Sequence, residues 1–365
     1  MNAWSRAREV LCVRLDSIGD VLMTTPAIRA LKRAVPRRRI TLLTSPAGAA
    51  AAAHVREIDR VWPYAAPWMK PGERASSPAQ DRAFLARLRA AGFDAAAIFT
   101  VYTQSPLPAA LACHLSSIPL RLAHCRENPY GLLTDWVPDP EPQRLVRHEV
   151  RRQLDLVSAV GAGPEDEALS LRVPAPAQRR VARILAEAGL ADRKPWVLVH
   201  PGASAPSRRY PAEAFAAAAA ELSRRLGVGL VFSGSGEERT AVDSILERVP
   251  RGRAPVVSLA GKLDFAGLAA LVSRASVLVS NNTGPAHIAA AVGTPVVVLY
   301  ALTNPQHAPW GVASRVLYHD VPCRFCYKSV CPQKHHDCLR LVEPSAVFEA
   351  TRQLLEEVRR CESRS

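Results

Sequence analysis

The chain has 365 residues, more than one hydrophobic core usually organises, so two domains are expected. Hydrophobic residues at 48% and charged residues at 22% describe a globular protein and exclude a largely disordered or fibrous chain. The formal net charge of +14 suits acidic partners, although a solvated arginine-rich surface would give the same balance. No Lys/Arg run is interleaved with aromatics, so nucleic acid is not an expected partner.

Residues 1–15 lack the apolar core of a secretory signal, and no run of about 18 uncharged apolar residues occurs. A cytoplasmic protein is therefore expected, and its eight cysteines need a reason other than structural disulfides. Only the Pro- and Ser-containing stretch 68–81 reads as short of order.

In chain order, residues 10–15 read as a short buried strand and 21–34 as a helix. Residues 39–44 are the next strand, followed by an Ala-rich helix, a helix over 85–91 and a strand over 95–99. Gly, Pro and acidic residues in 161–176 mark a domain boundary. The alternation then restarts, with a strand at 196–200, a helix at 211–226 and a strand at 229–232. Strands at 256–259, 276–280 and 295–300 follow, and a last helix spans 344–360. Strands alternating with helices at this spacing build parallel βαβ units. The expected class is α/β, with two Rossmann-like, doubly wound domains over residues 1–170 and 171–343. Residues 344–365 form a C-terminal helix that could pack back on the first domain. Ligands in such sheets bind beyond the carboxyl ends of the strands.

The chemistry-bearing motifs fall at those ends. Asp16-Ser17-Ile18-Gly19-Asp20 follows the first strand and opens a helix. Gly19 permits a tight turn there, and Asp20 is either an N-cap or a general base. Asn282-Thr283-Gly284-Pro285-Ala286-His287 follows a strand and starts a helix, so its backbone N–H groups suit a phosphate. His287 is either a second donor to that phosphate or a core histidine. Ser204 and Arg208 stand in another strand-to-helix loop, where Arg208 suits a diphosphate. Glu237 and Glu238 follow Gly234-Ser235-Gly236 and either hold sugar hydroxyls or charge a helix start. Cys323, Cys326, Cys331 and Cys338 cluster within 323–338, near His335 and His336. Four thiolates at this spacing would complete a structural metal site, with reduced buried thiols or redox disulfides as the alternatives. Cys12, Cys113, Cys125 and Cys361 read as ordinary thiols.

Together these segments resemble glycosyltransferase family 9, the ADP-heptose:lipopolysaccharide heptosyltransferases. The resemblance is carried by Arg14-Leu15-Asp16-Ser17-Ile18-Gly19-Asp20-Val21, Thr25-Pro26-Ala27, Ser258-Leu259-Ala260-Gly261-Lys262, the 282–287 loop and Gly293-Thr294-Pro295. It implies the GT-B fold, with two Rossmann-like domains facing a central cleft. It further implies an inverting transfer that needs no metal or other cofactor, with ADP-heptose as donor. The acceptor would be an acidic or phosphorylated glycolipid, reached at the inner face of the cytoplasmic membrane. By position, Asp20 resembles the base that activates the acceptor hydroxyl, with Ser17 and Gly19 in the acceptor loop. Arg208 stands where the family often has lysine, and Thr283, Gly284 and His287 resemble the phosphate cradle. Glu237 or Glu238 resembles the carboxylate near the nucleoside, with Ser204 in the donor loop. Asn282 departs from the family's usual aspartate, which bears on donor identity. Some relatives carry a metal in a Cys-rich finger, so a structural zinc or iron is allowed for here. Two rival functions remain: the same fold with another nucleotide-sugar or a protein acceptor, and a non-catalytic binding protein built on the GT-B shell.

Overall fold

A computed structural model describes residues 3–69, 76–190, 195–250, 252, 254–303 and 305–362. They form two compact units, Met1–Arg172 and Val173–Ser365. The stretch 68–81 lies partly outside the described residues, and Pro78 already opens a helix capped reciprocally by Ser77 and Gln80.

The first unit has the strands β1 (Glu9–Arg14), β2 (Arg39–Thr44), β3 (Arg60–Pro63), β4 (Ala95–Ile98), β5 (Leu120–Cys125) and β6 (Asp135–Pro138). Its helices are α1 (Ile18–Ala34), α2 (Pro46–Ala52), α3 (Pro78–Ala90), α4 (Leu107–Leu115) and α5 (Glu149–Ser158). All strand pairs are parallel, in the order β3-β2-β1-β4-β5-β6. This is the Rossmann order, and it reverses between β1 and β4.

Val10, Leu11, Cys12 and Val13 are buried on both faces of the sheet, which is why β1 reads as an unbroken apolar run. Helix α1 covers it with Val21, Leu22, Met23, Ile28 and Leu31, and packs against α5. Pro26 inside α1 removes one backbone N–H, and the Thr25 hydroxyl donates instead to the Leu22 carbonyl at 2.6 Å.

The second unit repeats the plan with α6 (Ala175–Glu187), β7 (Trp196–His200), α7 (Ala212–Leu226), β8 (Gly229–Phe232), α8 (Arg239–Leu246) and β9 (Val256–Ser258). It continues with α9 (Phe265–Val272), β10 (Val277–Asn281), α10 (Gly284–Val292), β11 (Val296–Leu299) and β12 (Ser314–Leu317). The short α11 (Asp337–Arg340) and the long α12 (Pro344–Glu362) end it. The order β12-β11-β10-β7-β8-β9 reverses between β10 and β7. Helix α12 places Val347, Phe348, Leu354 and Leu355 in the core of this unit, beside α7. Gly227 and Gly293 end α7 and α10 at φ of 60° and 80°, the left-handed cap that glycine adopts most cheaply.

Among the described residues no helix is long and apolar enough to cross a membrane. Among the described residues the cysteines are all free thiols. Burial pushes the Cys12 and Cys113 thiols up to about 12, as suits inert core residues.

Candidate active site

In each sheet the strand order reverses between two neighbouring strands, and the loops leaving their carboxyl ends diverge into a crevice. In the first unit these are the loops after β1 and β4. Ser17 is the N-cap of α1, and Asp20 is the third helical residue rather than the cap. The Asp20 carboxylate reaches back to the Ser17 N–H (3.1 Å) and hydroxyl (2.8 Å), a position the helix dipole favours. Gly19 lies inside the first turn of α1 with negative φ, so the tight turn expected at it does not form.

Arg14, at the end of β1, organises the group. Its guanidinium contacts Glu149 of α5 at 2.7 Å, Asp16 at 2.9 Å and Asp20 at 3.1 Å. Burial works against its charge, and the three carboxylates, Glu149 foremost, outweigh that and keep it ionised. The Asp16 contact has ion-pair distance without hydrogen-bond alignment, because Arg14 Nε makes no hydrogen bond. Gln104, from the loop after β4, donates to Asp16 Oδ1 at 2.6 Å.

A cavity of about 280 Å³ opens between these two loops. Its lining includes Asp16, Thr103 and Gln104 on the polar side and Trp68, Met69 and Phe99 on the apolar side. Of the motif residues, Asp16 lines it; Asp20 does not.

In the second unit the loops after β7 and β10 flank the reversal. Asn281 ties them together: its Oδ1 accepts from the Tyr210 N–H at 3.0 Å, and its Nδ2 donates to the Pro201 carbonyl at 2.7 Å. Thr283 caps α10, and Pro285 occupies its first turn, so the N-terminal amides of α10 point out of the sheet's carboxyl edge. His287 is buried one turn in. Arg208 stands in the loop after β7 with its Nε buried and without a hydrogen-bond partner, an unmet donor of the kind an anion satisfies. Ser204 is exposed on the same loop.

The two glutamates are distinguished by their surroundings. Glu237 points to solvent, whereas Glu238 is half-buried and accepts from the Ser235 N–H at 2.8 Å. A Cβ on Gly202 would stand 2.1–2.4 Å from the Glu238 carboxyl atoms, so the bare glycine is what lets this carboxylate lie over the end of β7.

Asn282 is buried, and its Nδ2 donates to the His307 carbonyl at 3.1 Å. Aspartate could not supply that donor, which gives the amide a structural reason.

The Cys-rich segment runs along the same edge. Phe325 and Tyr327 donate backbone N–H bonds to the Ala301 and Leu302 carbonyls, and Ser207 binds the carbonyls of Lys328 and Ser329. Burial and the neighbouring Cys326, Cys331 and Cys323 push the Cys338 thiol up to about 11. The donor set has the chemistry of a tetrahedral thiolate centre. Even so, among the described residues no three His, Cys, Asp or Glu side chains stand together as metal ligands.

Two parallel sheets of Rossmann order, each flanked by helices, give the two-domain architecture of the GT-B class. Escherichia coli ADP-heptose lipopolysaccharide heptosyltransferase II shares the fold, with a TM-score of 0.74 at 22% identity over 96% of this chain and 99% of that one. The profile of glycosyltransferase family 9 (heptosyltransferase) matches residues 82–336, and the chain belongs to that family. Lipopolysaccharide heptosyltransferase 2 of Salmonella typhimurium is 25% identical over 96% of this chain and 99% of its own length. Lipooligosaccharide heptosyltransferase 2 of Campylobacter jejuni is 28% identical over 43% of this chain, and the match spans half of the Campylobacter protein.

Proposed function

We propose that the protein is an inverting, metal-independent glycosyltransferase that moves heptose from ADP-heptose to a lipopolysaccharide core or related acceptor. The observation that carries this is Arg208, a cation with a buried, unmet donor on the loop that Asn281 ties to the β10–α10 turn, so that a diphosphate held by the α10 amides could also satisfy it. Relatives named as heptosyltransferases of lipopolysaccharide support the donor and acceptor classes. The acceptor oxygen forms its bond to the anomeric carbon as the carbon–phosphate oxygen bond breaks. The departing ADP keeps the electron pair, stabilised by Arg208 and the α10 amides. The acceptor proton passes to the carboxylates gathered on Arg14, of which Asp20 is the one the family resemblance points to. The basic surface suits a phosphorylated glycolipid at the cytoplasmic face of the membrane.

Incubation of ADP-heptose with heptose-deficient core lipopolysaccharide in EDTA is expected to release ADP and leave an inverted linkage visible by NMR. Retention at that carbon, or no transfer until a metal is restored, would contradict the mechanism.

Glu238 is the carboxylate proposed to face the donor nucleoside. Gly202→Ala is expected to push it aside while the fold persists, because the clash falls on the end of a flexible side chain. The donor KM should rise roughly 10- to 100-fold, the size of one lost charge-assisted hydrogen bond. An unchanged donor KM would remove Glu238 from the donor site.

A further inference from the structure

Helix α4 presents part of its surface to solvent, yet its sequence from Leu107 to Leu115 contains no Asp, Glu, Lys or Arg. A helix that meets water normally carries charge on that side. Here Leu111 and Leu115, one turn apart and therefore on one face, are exposed instead. The helical turn Tyr130–Leu132 packs beside α4 and leaves the Tyr130 side chain 83% exposed. Tyr130 sits at a φ of 47°, a left-handed backbone whose cost to a bulky residue an exposed ring does not recover within the fold. Trp136 is exposed on the outermost strand, β6, in register with Ala123. Ala123 shares a core cluster with Ala109, Ala110 and Cys113 of α4, so Trp136 stands on the side of the sheet that α4 covers. Four of the seven large hydrophobic side chains exposed among the described residues thus gather on one face, where scattered ones would need no explanation.

The charge beside this face indicates what covers it. Helix α3 packs against α4 and exposes Arg82, Arg87 and Arg89, with Asp81 as its only acid. Asp81 accepts from the Tyr64 hydroxyl at 2.8 Å, and Arg87 lies over the Trp62 ring, which leaves Arg82 and Arg89 to solvent. Arg126 and Glu127, after β5, balance each other. A second copy docked on the same face would set two basic rims against each other. An anionic lipid surface attracts the arginines and takes Leu, Tyr and Trp at its headgroup boundary.

Resting on the reading above that the acceptor is a glycolipid, we propose that this face of the first unit docks the protein on an anionic lipid bilayer. Leu111, Leu115, Tyr130 and Trp136 enter the interface, and Arg82 and Arg89 meet the lipid phosphates. The docking is peripheral, since α4 has nine residues and no described helix is long and apolar enough to cross. Helix α4 follows directly on the loop after β4, whose Thr103 and Gln104 line the cavity. The docked face therefore adjoins the carboxyl edge of the first sheet, where Asp20 stands.

The test is flotation of the full chain with vesicles of phosphatidylcholine, alone or with about a third phosphatidylglycerol. No donor or lipopolysaccharide is present, so the assay reads the surface and not the transfer. Wild type should float with the anionic vesicles but not the neutral ones, and should be released as salt rises to about 0.5 M. Arg82→Gln/Arg89→Gln should weaken binding on the order of 10- to 30-fold, about fivefold for each arginine. Leu111→Glu/Leu115→Glu should weaken it by at least roughly tenfold, with a urea midpoint near that of wild type. Vesicles of brominated lipid should quench tryptophan fluorescence in wild type, and Trp136→Phe should lose that quenched component. No binding to anionic vesicles, binding that survives Leu111→Glu/Leu115→Glu, or a dimer in sedimentation that this variant dissolves would overturn the proposal. Failure to bind ADP-heptose with vesicle binding intact would sink the donor reading alone and leave the docking face standing.

Discussion

Asp20→Asn is expected to lower kcat at pH 7 by roughly 10²- to 10⁴-fold, the usual range for a lost proton-transfer group. Asparagine keeps the shape and can still accept from the Ser17 N–H through its amide oxygen, so α1 retains its start. What disappears is the carboxylate charge beside Arg14 and, with it, the base proposed to take the acceptor proton. Stability should fall by only about 1 kcal/mol, typical of a weakened helix start. The separation between rate and stability makes the experiment informative. Steady-state kinetics beside a urea titration would show it, and a variant with wild-type kcat would detach Asp20 from the chemistry.

Arg14→Met is expected to have the largest effect on stability, a loss of about 3–5 kcal/mol, because breaking a buried ion pair leaves an uncompensated charge. Arg14 and Glu149 are both fully buried, and their pair joins β1 to α5, the helix that packs on α1. Once Arg14 is gone, the Gln153 amide still reaches Glu149 but supplies no charge. The remaining carboxylates can relieve the strain by taking protons, so the loss should shrink as pH is lowered toward 4. The double variant Arg14→Met/Glu149→Gln should recover a large part of the loss, since both charges are then removed together. Urea midpoints at pH 7 and pH 4.5 measure all of this. A single variant within 1 kcal/mol of wild type would show that the carboxylates bear no net cost without the arginine.

The strands legible in advance were those whose apolar runs are continuous. The expected strands at 39–44, 196–200 and 229–232 match β2, β7 and β8 at both ends. The strands that escaped notice were short edges or carried polar residues in their interiors. β3 and β6 are four-residue edge strands ending in proline, and β12 is a partly exposed edge. β5 carries Arg121 and His124 in its core. Arg121 is buried because its guanidinium binds the Ile118, Leu132 and Gly131 carbonyls, and His124 because its Nε2 meets the Arg152 carbonyl. No periodicity announces partners that arrive from loops and helices elsewhere in the chain.

The site divides in the same way. The motifs at strand ends were visible because chain order places them there, and the fold brings Asp20 to one reversal and Arg208, Glu238 and the 282–287 loop to the other. Their division of labour was not visible. Asp16 and Asp20 look interchangeable as letters, yet one lines a cavity and the other braces a helix start. Glu237 and Glu238 are adjacent, and only the second finds the space left by Gly202. Asn281 resembles a binding residue but spends both ends of its amide joining the loops after β7 and β10. Glu149 lies 135 residues from Arg14, so its place in the site depends on tertiary structure alone.

The measurement that bears most directly on the central claim is calorimetric titration of the protein with ADP-heptose, with ADP, UDP and UDP-sugars as comparators and Arg208→Ala as control. Binding selective for the adenine nucleotides, weakened roughly 10- to 100-fold in Arg208→Ala as a lost charge-assisted pair would require, is the predicted result. Preference for a uridine nucleotide-sugar, or binding indifferent to Arg208, would contradict it.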